Sequence, residues 1–368
     1  MTPGHDPKKG RGATANPEGR FEPRRVEAVW DEPSDEAPSA PQTEVFFDHA
    51  RTVLTRNDSP DVPFDVSLNP YRGCEHGCAY CFARPSHAYL NFSPGLDFET
   101  KIFAKPDAPR LLAGELAKPG YRCVPIALGT NTDPYQPLER TMRITRGILE
   151  VLVEHRHPFT IVTKSTLVLR DLDLIAPMAA NGQASAFVSV TTQDPELAGR
   201  LEPRAAAPHR RLEVLRAIAG AGVPAGVLAS PMIPGLNDHE LESILSASAA
   251  AGARYAGYIL VRLPHEVKEI FRAWLEQHAP TRAAKVLSLI RQARGGKLYD
   301  SRFGERLRGE GPYAAMLARR FEVARRRHGF DRERSRLDTA PFRVPGRPHA
   351  QRRLFAQTNA VMRDATPS

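Results

Sequence analysis

The sequence predicts a parallel α/β sheet, open or curled into a partial barrel, on three observations. Six short β-rich runs occur, at Phe64–Leu68, Val124–Leu128, Phe159–Thr163, Ala186–Thr191, Ala225–Ala229 and Tyr255–Val261. Helical patterns fill the intervals between them. From Val124 onward the runs begin about 30 to 40 residues apart, the length of a βαβ unit with a right-handed crossover.

Residues 1–45 are rich in Pro, Gly, Glu and Arg and poor in aliphatic side chains. Such a segment buries too little surface to offset the entropy of ordering, so disorder is expected, with Phe21 and Trp30 as its docking side chains. Residues 46–265 carry the six β units. Thr145–His155 and Pro208–Ala219 have helical spacing, and Asp238 stands as a start signal before Leu241, Ile244 and Leu245. Residues 266–330 show helices only, at Val267–His278, Arg282–Arg294 and Pro312–His328. Residues 331–368 form an Arg- and Pro-rich tail, expected to be irregular.

The chain has 368 residues, 41% of them hydrophobic, enough for a large core. No apolar run approaches the ~18 residues of a membrane span, and the N-terminus lacks the apolar stretch of a signal peptide. A cytoplasmic location is expected. Net charge is +9, yet Arg282–Arg353 alone carries 20 Lys/Arg against 7 Asp/Glu, so the remainder is slightly acidic. A basic C-terminal third suits a polyanion such as nucleic acid. An Arg-rich solvated helical surface is the alternative.

Four cysteines do not make a disulfide framework. Cys74, Cys78 and Cys81 crowd into the segment NPYRGCEHGCAYC, with spacing C-x3-C-x2-C, while Cys123 stands apart. Three close thiolates can wrap three irons of a cubane cluster and leave the fourth open, and Gly73 and Gly77 allow the tight turns this needs. The alternative is a zinc site completed by His76 or Cys123. In parallel α/β folds reactive groups lie on loops at the C-terminal ends of strands. Here those ends read Gly129-Thr130-Asn131-Thr132-Asp133, Thr163-Lys164-Ser165, Ser189-Val190-Thr191-Thr192, Ser230-Pro231-Met232-Ile233-Pro234-Gly235 and Arg262-Leu263-Pro264. The cysteine triplet follows the first run, on the same rim.

The cysteine motif, with an aromatic before its last Cys, resembles the signature of the radical S-adenosylmethionine (SAM) superfamily. The strings NPYRGCEHGCAYCFARPSHAY, GTNTDPYQPLE and LEPRAAAPHRRL, with the head GRGATANPEGRFE, resemble a bacterial subgroup placed with spore photoproduct lyase and called DNA-repair-photolyase-like. The likeness spans roughly residues 45 to 330. It implies a partial (β/α)6 TIM-like barrel of the radical SAM type. It also implies a [4Fe–4S] cluster on Cys74, Cys78 and Cys81 whose open iron chelates SAM. One electron then releases a 5′-deoxyadenosyl radical, and the cofactor performs the hard step. A reductant such as a flavodoxin or ferredoxin is implied, and the lyase resemblance suggests nucleic acid as substrate. A protein or small-molecule substrate, and a non-catalytic iron–sulfur or zinc protein, are the competing readings.

By the same resemblance, Tyr80 would sit beside adenine. Gly129, Thr130 and Asn131 would replace a Gly-Gly-Glu that this sequence lacks, meeting the methionine amine. Lys164 would meet the SAM carboxylate, Ser189 the ribose or carboxylate, and Arg204 would be a second anion partner. Plainer roles compete: a structural aromatic for Tyr80, a solvated strand-end lysine for Lys164, a core residue for Ser189 and an ion pair with Glu202 for Arg204. Asp133, Tyr135, Gln136 and Glu139 are polar enough to face substrate, or form a rigid turn between prolines. His76, Arg84 and His87 flank the cysteines, where they could tune a cluster. Spore photoproduct lyase uses a further cysteine as hydrogen donor. That position falls near Thr130, so Cys123 is expected to be a buried structural thiol.

Overall fold

The computed structural model describes residues 10–14, 16–21, 42–330 and 336–346. Ten strands occur among them: β1 (Glu44–Phe47), β2 (Leu54–Arg56), β3 (Val66–Leu68), β4 (Tyr71–Arg72), β5 (Lys101–Ala104), β6 (Ile126–Leu128), β7 (Phe159–Thr163), β8 (Ala184–Ser189), β9 (Ala225–Met232) and β10 (Tyr255–Leu260). Seven make one sheet in the order β10-β9-β8-β7-β6-β3-β2. Every neighbouring pair from β3 to β10 is parallel, and only β2 is antiparallel, against β3. Because the six parallel strands follow sequence order without reversal, each right-handed crossover advances the same way and the sheet curls. This is the partial (β/α)6 barrel.

The helices form where the sequence places an apolar stripe. In Ile144–Glu154 the buried residues include Ile144, Ile148, Leu149 and Leu152, a spacing that keeps one face on the sheet. Helix Pro195–Leu201 starts where the Asp194 side chain accepts from the N–H groups of Glu196 and Leu197, with proline in its first turn. β8 is buried at all of its positions, as a strand covered on both faces must be.

A second sheet, in the order β1-β5-β4, has no counterpart in the expected run of units. Its strands are two to four residues long, too short for an alternation to register. It flanks the cysteines, since β4 ends at Arg72. A second core cluster brings Trp274, Phe271 and Val286 of the C-terminal helices together with Cys78, Ala79 and Tyr80, so those helices pack behind the cysteine loop.

Parts of both chain ends dock on the rest of the chain. Of the N-terminal segment, residues 10–14 and 16–21 dock beside the cysteines; Gly12, Ala13 and Thr14 are buried there. Phe21 meets Tyr89 at 5.2 Å between ring centroids, while Trp30 lies outside the described residues. In the tail, residues 336–346 form no helix or strand. They are tied by backbone bonds from Asp338 N–H to the Gly182 carbonyl and from Arg343 N–H to the His155 carbonyl. No helix among the described residues is long and apolar enough to cross a membrane.

Candidate active site

The cysteine loop leaves β4 through two left-handed glycines, Gly73 (φ 83°) and Gly77 (φ 66°). A Cβ at Gly73 would lie 2.9 Å from His87, Ile102 and the Phe98 carbonyl, and one at Gly77 would lie 2.6 Å from the Glu99 carboxylate. Both turns therefore need glycine for space as well as for φ. Cys74 and Cys78 are buried and Cys81 half-buried. Burial raises the Cys74 thiol well above its ordinary range, and the charges of Asp133, Cys78 and Cys81 add to this. Burial likewise pushes Cys78 up to about 12. The three sulfurs thus lie within electrostatic reach of one another, and as thiolates they need a cationic group among them. That donor set fits a cluster held at three corners. No three His, Cys, Asp or Glu side chains among the described residues converge on a single ion. The zinc sets are not assembled: His76 turns its Nδ1 to Asp133, at 3.3 Å, and Cys123 precedes β6, at the opposite end of that strand from Gly129.

Four carboxylates hold this irregular loop. Glu75 accepts from Thr43 Oγ1 (2.7 Å) and Leu138 N–H (2.6 Å) and pairs with Arg204 at 3.1 Å. Glu99, fully buried, pairs with Arg84, whose Nε donates to the Cys78 carbonyl at 2.9 Å. Asp133 accepts from Thr163 Oγ1 (2.7 Å), Tyr135 N–H (2.9 Å) and Lys164 N–H (2.8 Å), besides facing His76. Burial alone would raise its pKa, but His76 and these donors outweigh burial and hold it to about 2.

Glu202 is the fourth and the most heavily engaged. It accepts from the Tyr80 hydroxyl, from Thr191 Oγ1 at 2.7 Å and from the buried Arg211 guanidinium, and Lys164 Nζ stands 4.0 Å away. Burial opposes its charge, yet Arg211 and Lys164 dominate and lower it to about 2. Lys164 is held protonated in return: burial works against its charge, and Cys78 and Glu202 together outweigh it.

The rim brings most of the expected residues together but gives several of them other work. Gly129 (φ 87°) needs glycine, since a Cβ would approach the Val162 carbonyl to 2.2 Å. The amides of Thr130 and Asn131 both donate to Asn69 Oδ1, at 3.2 and 2.9 Å. Ser189 is buried at the end of β8, and Arg211 donates to its carbonyl at 3.2 Å. Tyr80 is packed inward, 7% exposed, with its hydroxyl committed to Glu202 and Thr191. Arg204 pairs with Glu75, not with Glu202. Tyr135, Gln136 and Glu139 are fully buried. Gln136 accepts from Glu75 N–H at 2.9 Å, and Glu139 takes Tyr71 Oη and Arg170. With Asp133, which is half-buried at the rim, they brace the loop from inside.

Arg84 and His87 are likewise buried supports; burial lowers the His87 ring to about 4. Cys123 is half-buried against the main core. Sequence reasoning passed over Asn69, Glu75, Glu99 and Arg211, and it offered Glu202 only as an ion-pair partner for Arg204. All but Glu99 lie within the quoted strings, where a charged residue with an apolar future neighbourhood has no local signal.

The radical SAM superfamily model matches residues 68–247. An uncharacterized protein of Mycobacterium tuberculosis is 39% identical over 233 residues, covering 63% of this chain and 68% of its own. One from Methanocaldococcus jannaschii is 26% identical over 213 residues, covering 58% and 76%. Among solved structures, spore photoproduct lyase complexed with dinucleoside spore photoproduct has a similar fold, with TM-score 0.54 and 15% identity over 77% of this chain and 79% of that one. The matched span runs from the end of β3 into the helix after β9, and it encloses all three clustered cysteines and the C-terminal ends of the parallel strands from β3 to β9. The chain belongs to the radical SAM superfamily of enzymes.

Proposed function

We propose that Cys74, Cys78 and Cys81 hold a [4Fe–4S] cluster and that the enzyme cleaves SAM reductively to act on nucleic acid. When bound, the reduced cluster supplies the electron that generates the 5′-deoxyadenosyl radical. The chain's own residues prepare the place for it. Three thiols lie on one loop at this rim, two of them buried and one half-buried. Lys164 keeps a half-buried positive charge beside Cys78, a compact partner for a carboxylate. Asn69 fixes the loop after β6 by taking its amides, which leaves that loop's carbonyls as the groups to meet an ammonium. The observation that supports the reading is the grouping of the three thiols on one loop at the strand-end rim, within electrostatic reach of one another.

Nucleic acid as substrate draws support from the lyase-like fold, since that enzyme was captured with a dinucleoside photoproduct. The basic C-terminal third adds to it, although residues 331–335 and 347–368 lie outside the described residues. On helix Gly311–Arg327, Arg325 pairs with Glu322 at 3.0 Å, whereas Arg326 and Arg327 are exposed. Changing Arg326 and Arg327 to Gln should flatten the log–log salt dependence of duplex binding by one or two contacts, roughly 0.9 each. The deciding experiment adds DNA or RNA to reduced enzyme with SAM and follows 5′-deoxyadenosine. Formation faster than the uncoupled rate supports the reading. No acceleration by either, with binding lost at ~0.15 M salt, turns the assignment to a protein or small molecule.

A further inference from the structure

We propose that residues 10–14 and 16–21 form a clasp that holds the cysteine loop in its ligand-ready shape, and that cluster retention depends on it. The proposal rests on the cluster reading above and concerns a segment outside the matched span.

The contact is backbone on backbone. A Cβ at Gly12 would fall 1.6 Å from the Gly77 carbonyl oxygen and 3.3 Å from Ala79 N, so the head presses on the loop on both sides of Cys78. No side chain fits between them. Two hydrogen-bonded chains then run from the head to the cysteines. In one, the N–H groups of Gly12 and Ala13 donate to the Glu99 carboxylate at 3.0 and 2.7 Å. Glu99 pairs with Arg84, and Arg84 grips the Cys78 carbonyl. In the other, Arg11 reaches Thr43 Oγ1 at 3.4 Å, and Thr43 donates to Glu75, the residue after Cys74. Arg11 also donates to the Glu99 carbonyl at 2.8 Å.

The rest of the segment is anchored independently. Asn16 exchanges bonds with Asp97, and the Pro17 carbonyl accepts from Ser93. Arg20 pairs with Glu266 at 2.7 Å, in the loop after β10. The head therefore spans from the cysteine loop to the last strand end of the barrel.

Removing it would leave the fully buried Glu99 carboxylate without two of its donors, a change that burial makes expensive. Glu99 would then turn or take up water, and its hold through Arg84 on Cys78 would slacken. Groups that support metal ligands in this way commonly change metal affinity by 10- to 100-fold.

The test uses the full chain, anaerobically reconstituted, with Gly12→Val, Arg11→Ala and Arg11→Lys beside wild type. Wild type should hold about four irons per chain. Gly12→Val should keep its far-ultraviolet circular dichroism and apo melting behaviour. It should bind less iron per folded chain, with cluster absorbance lost in air roughly tenfold faster. Arg11→Ala should move the same way by less, and Arg11→Lys should recover part of the loss. Should Gly12→Val fail to fold, the arginine pair carries the test. Wild-type iron content and decay in every folded variant would overturn the clasp. A wild-type chain that takes up no iron would overturn the cluster reading itself, and the clasp with it.

Discussion

The barrel sheet and the cysteine loop are held by opposite physics. The sheet is built on aliphatic burial, with Ile161, Val188, Val227 and Leu260 fully buried on successive strands, and each strand supports its neighbour by a regular ladder. The loop from Gly73 to Cys81 has no ladder. Its shape comes from Glu75, Glu99, Asp133 and Glu202, each drawn in by donors from distant parts of the chain. A packed apolar surface tolerates adjustment in small steps. A buried carboxylate does not, because one lost partner leaves an uncompensated charge. The difference teaches that fold stability and site competence can fail separately in this molecule.

The largest separation should come from one substitution in each region. Phe159→Ala empties a fully buried site in β7 and should cost about 3–5 kcal/mol of unfolding free energy. Iron bound per folded chain should be unchanged. Glu202→Gln removes the counter-charge of Arg211 and Lys164 and should cost about 3–5 kcal/mol as well. Here cluster content and SAM affinity should fall together, beyond what the melt accounts for. Denaturant titration with iron analysis on the folded fraction reads both. Equal iron loss in the two variants would break the comparison.

Acid should produce a smaller effect, shared between the regions. His87 lies under the cysteine loop, and His157 lies at the other end of the sheet, beside Tyr121 and Phe342. Burial lowers both from 6.5 to about 4 in the folded protein. The unfolded chain therefore takes up these protons first, so stability present at pH 7 is lost as pH falls from 6.5 toward 4. A shift of that size corresponds to about 3 kcal/mol for each ring at full effect. Asp133 and Glu202, held to about 2, lose their contribution only as pH falls from about 4.5 toward 2. His157→Gln should remove its part of the pH 7 to 5 decline without altering iron content. An unchanged decline would show that the ring is not the group responsible.

What the sequence disclosed follows the same division. β7 and helix Val267–His278 begin and end where the periodicity puts them, because an apolar pattern decides both and the pattern is local. The cysteine motif, its glycines and its rim position were also legible. The carboxylate partners were not. Nothing near Glu202 announces that Arg211, nine positions on, will turn inward to meet it, or that Tyr80 from the cysteine loop and Lys164 from the end of β7 converge there. The polarity of Asp133, Gln136 and Glu139 suggested a surface for substrate, yet polarity alone does not distinguish an exposed group from a buried one with partners. The head escaped for a related reason. It docks through backbone amides on Glu99, and composition reads side chains.

The central claim, that the loop's thiols carry a cluster that cleaves SAM, meets its most direct test in one assay. Protein reconstituted anaerobically with iron and sulfide is reduced with dithionite, given SAM, and followed for 5′-deoxyadenosine, beside Cys74→Ala and Cys123→Ala. The account predicts a brown protein with broad absorbance near ~400 nm and about four irons, and slow 5′-deoxyadenosine formation. Cys123→Ala should retain both properties, and Cys74→Ala should lose both. Zinc in place of iron after anaerobic purification, or product formation that survives loss of Cys74, would contradict it.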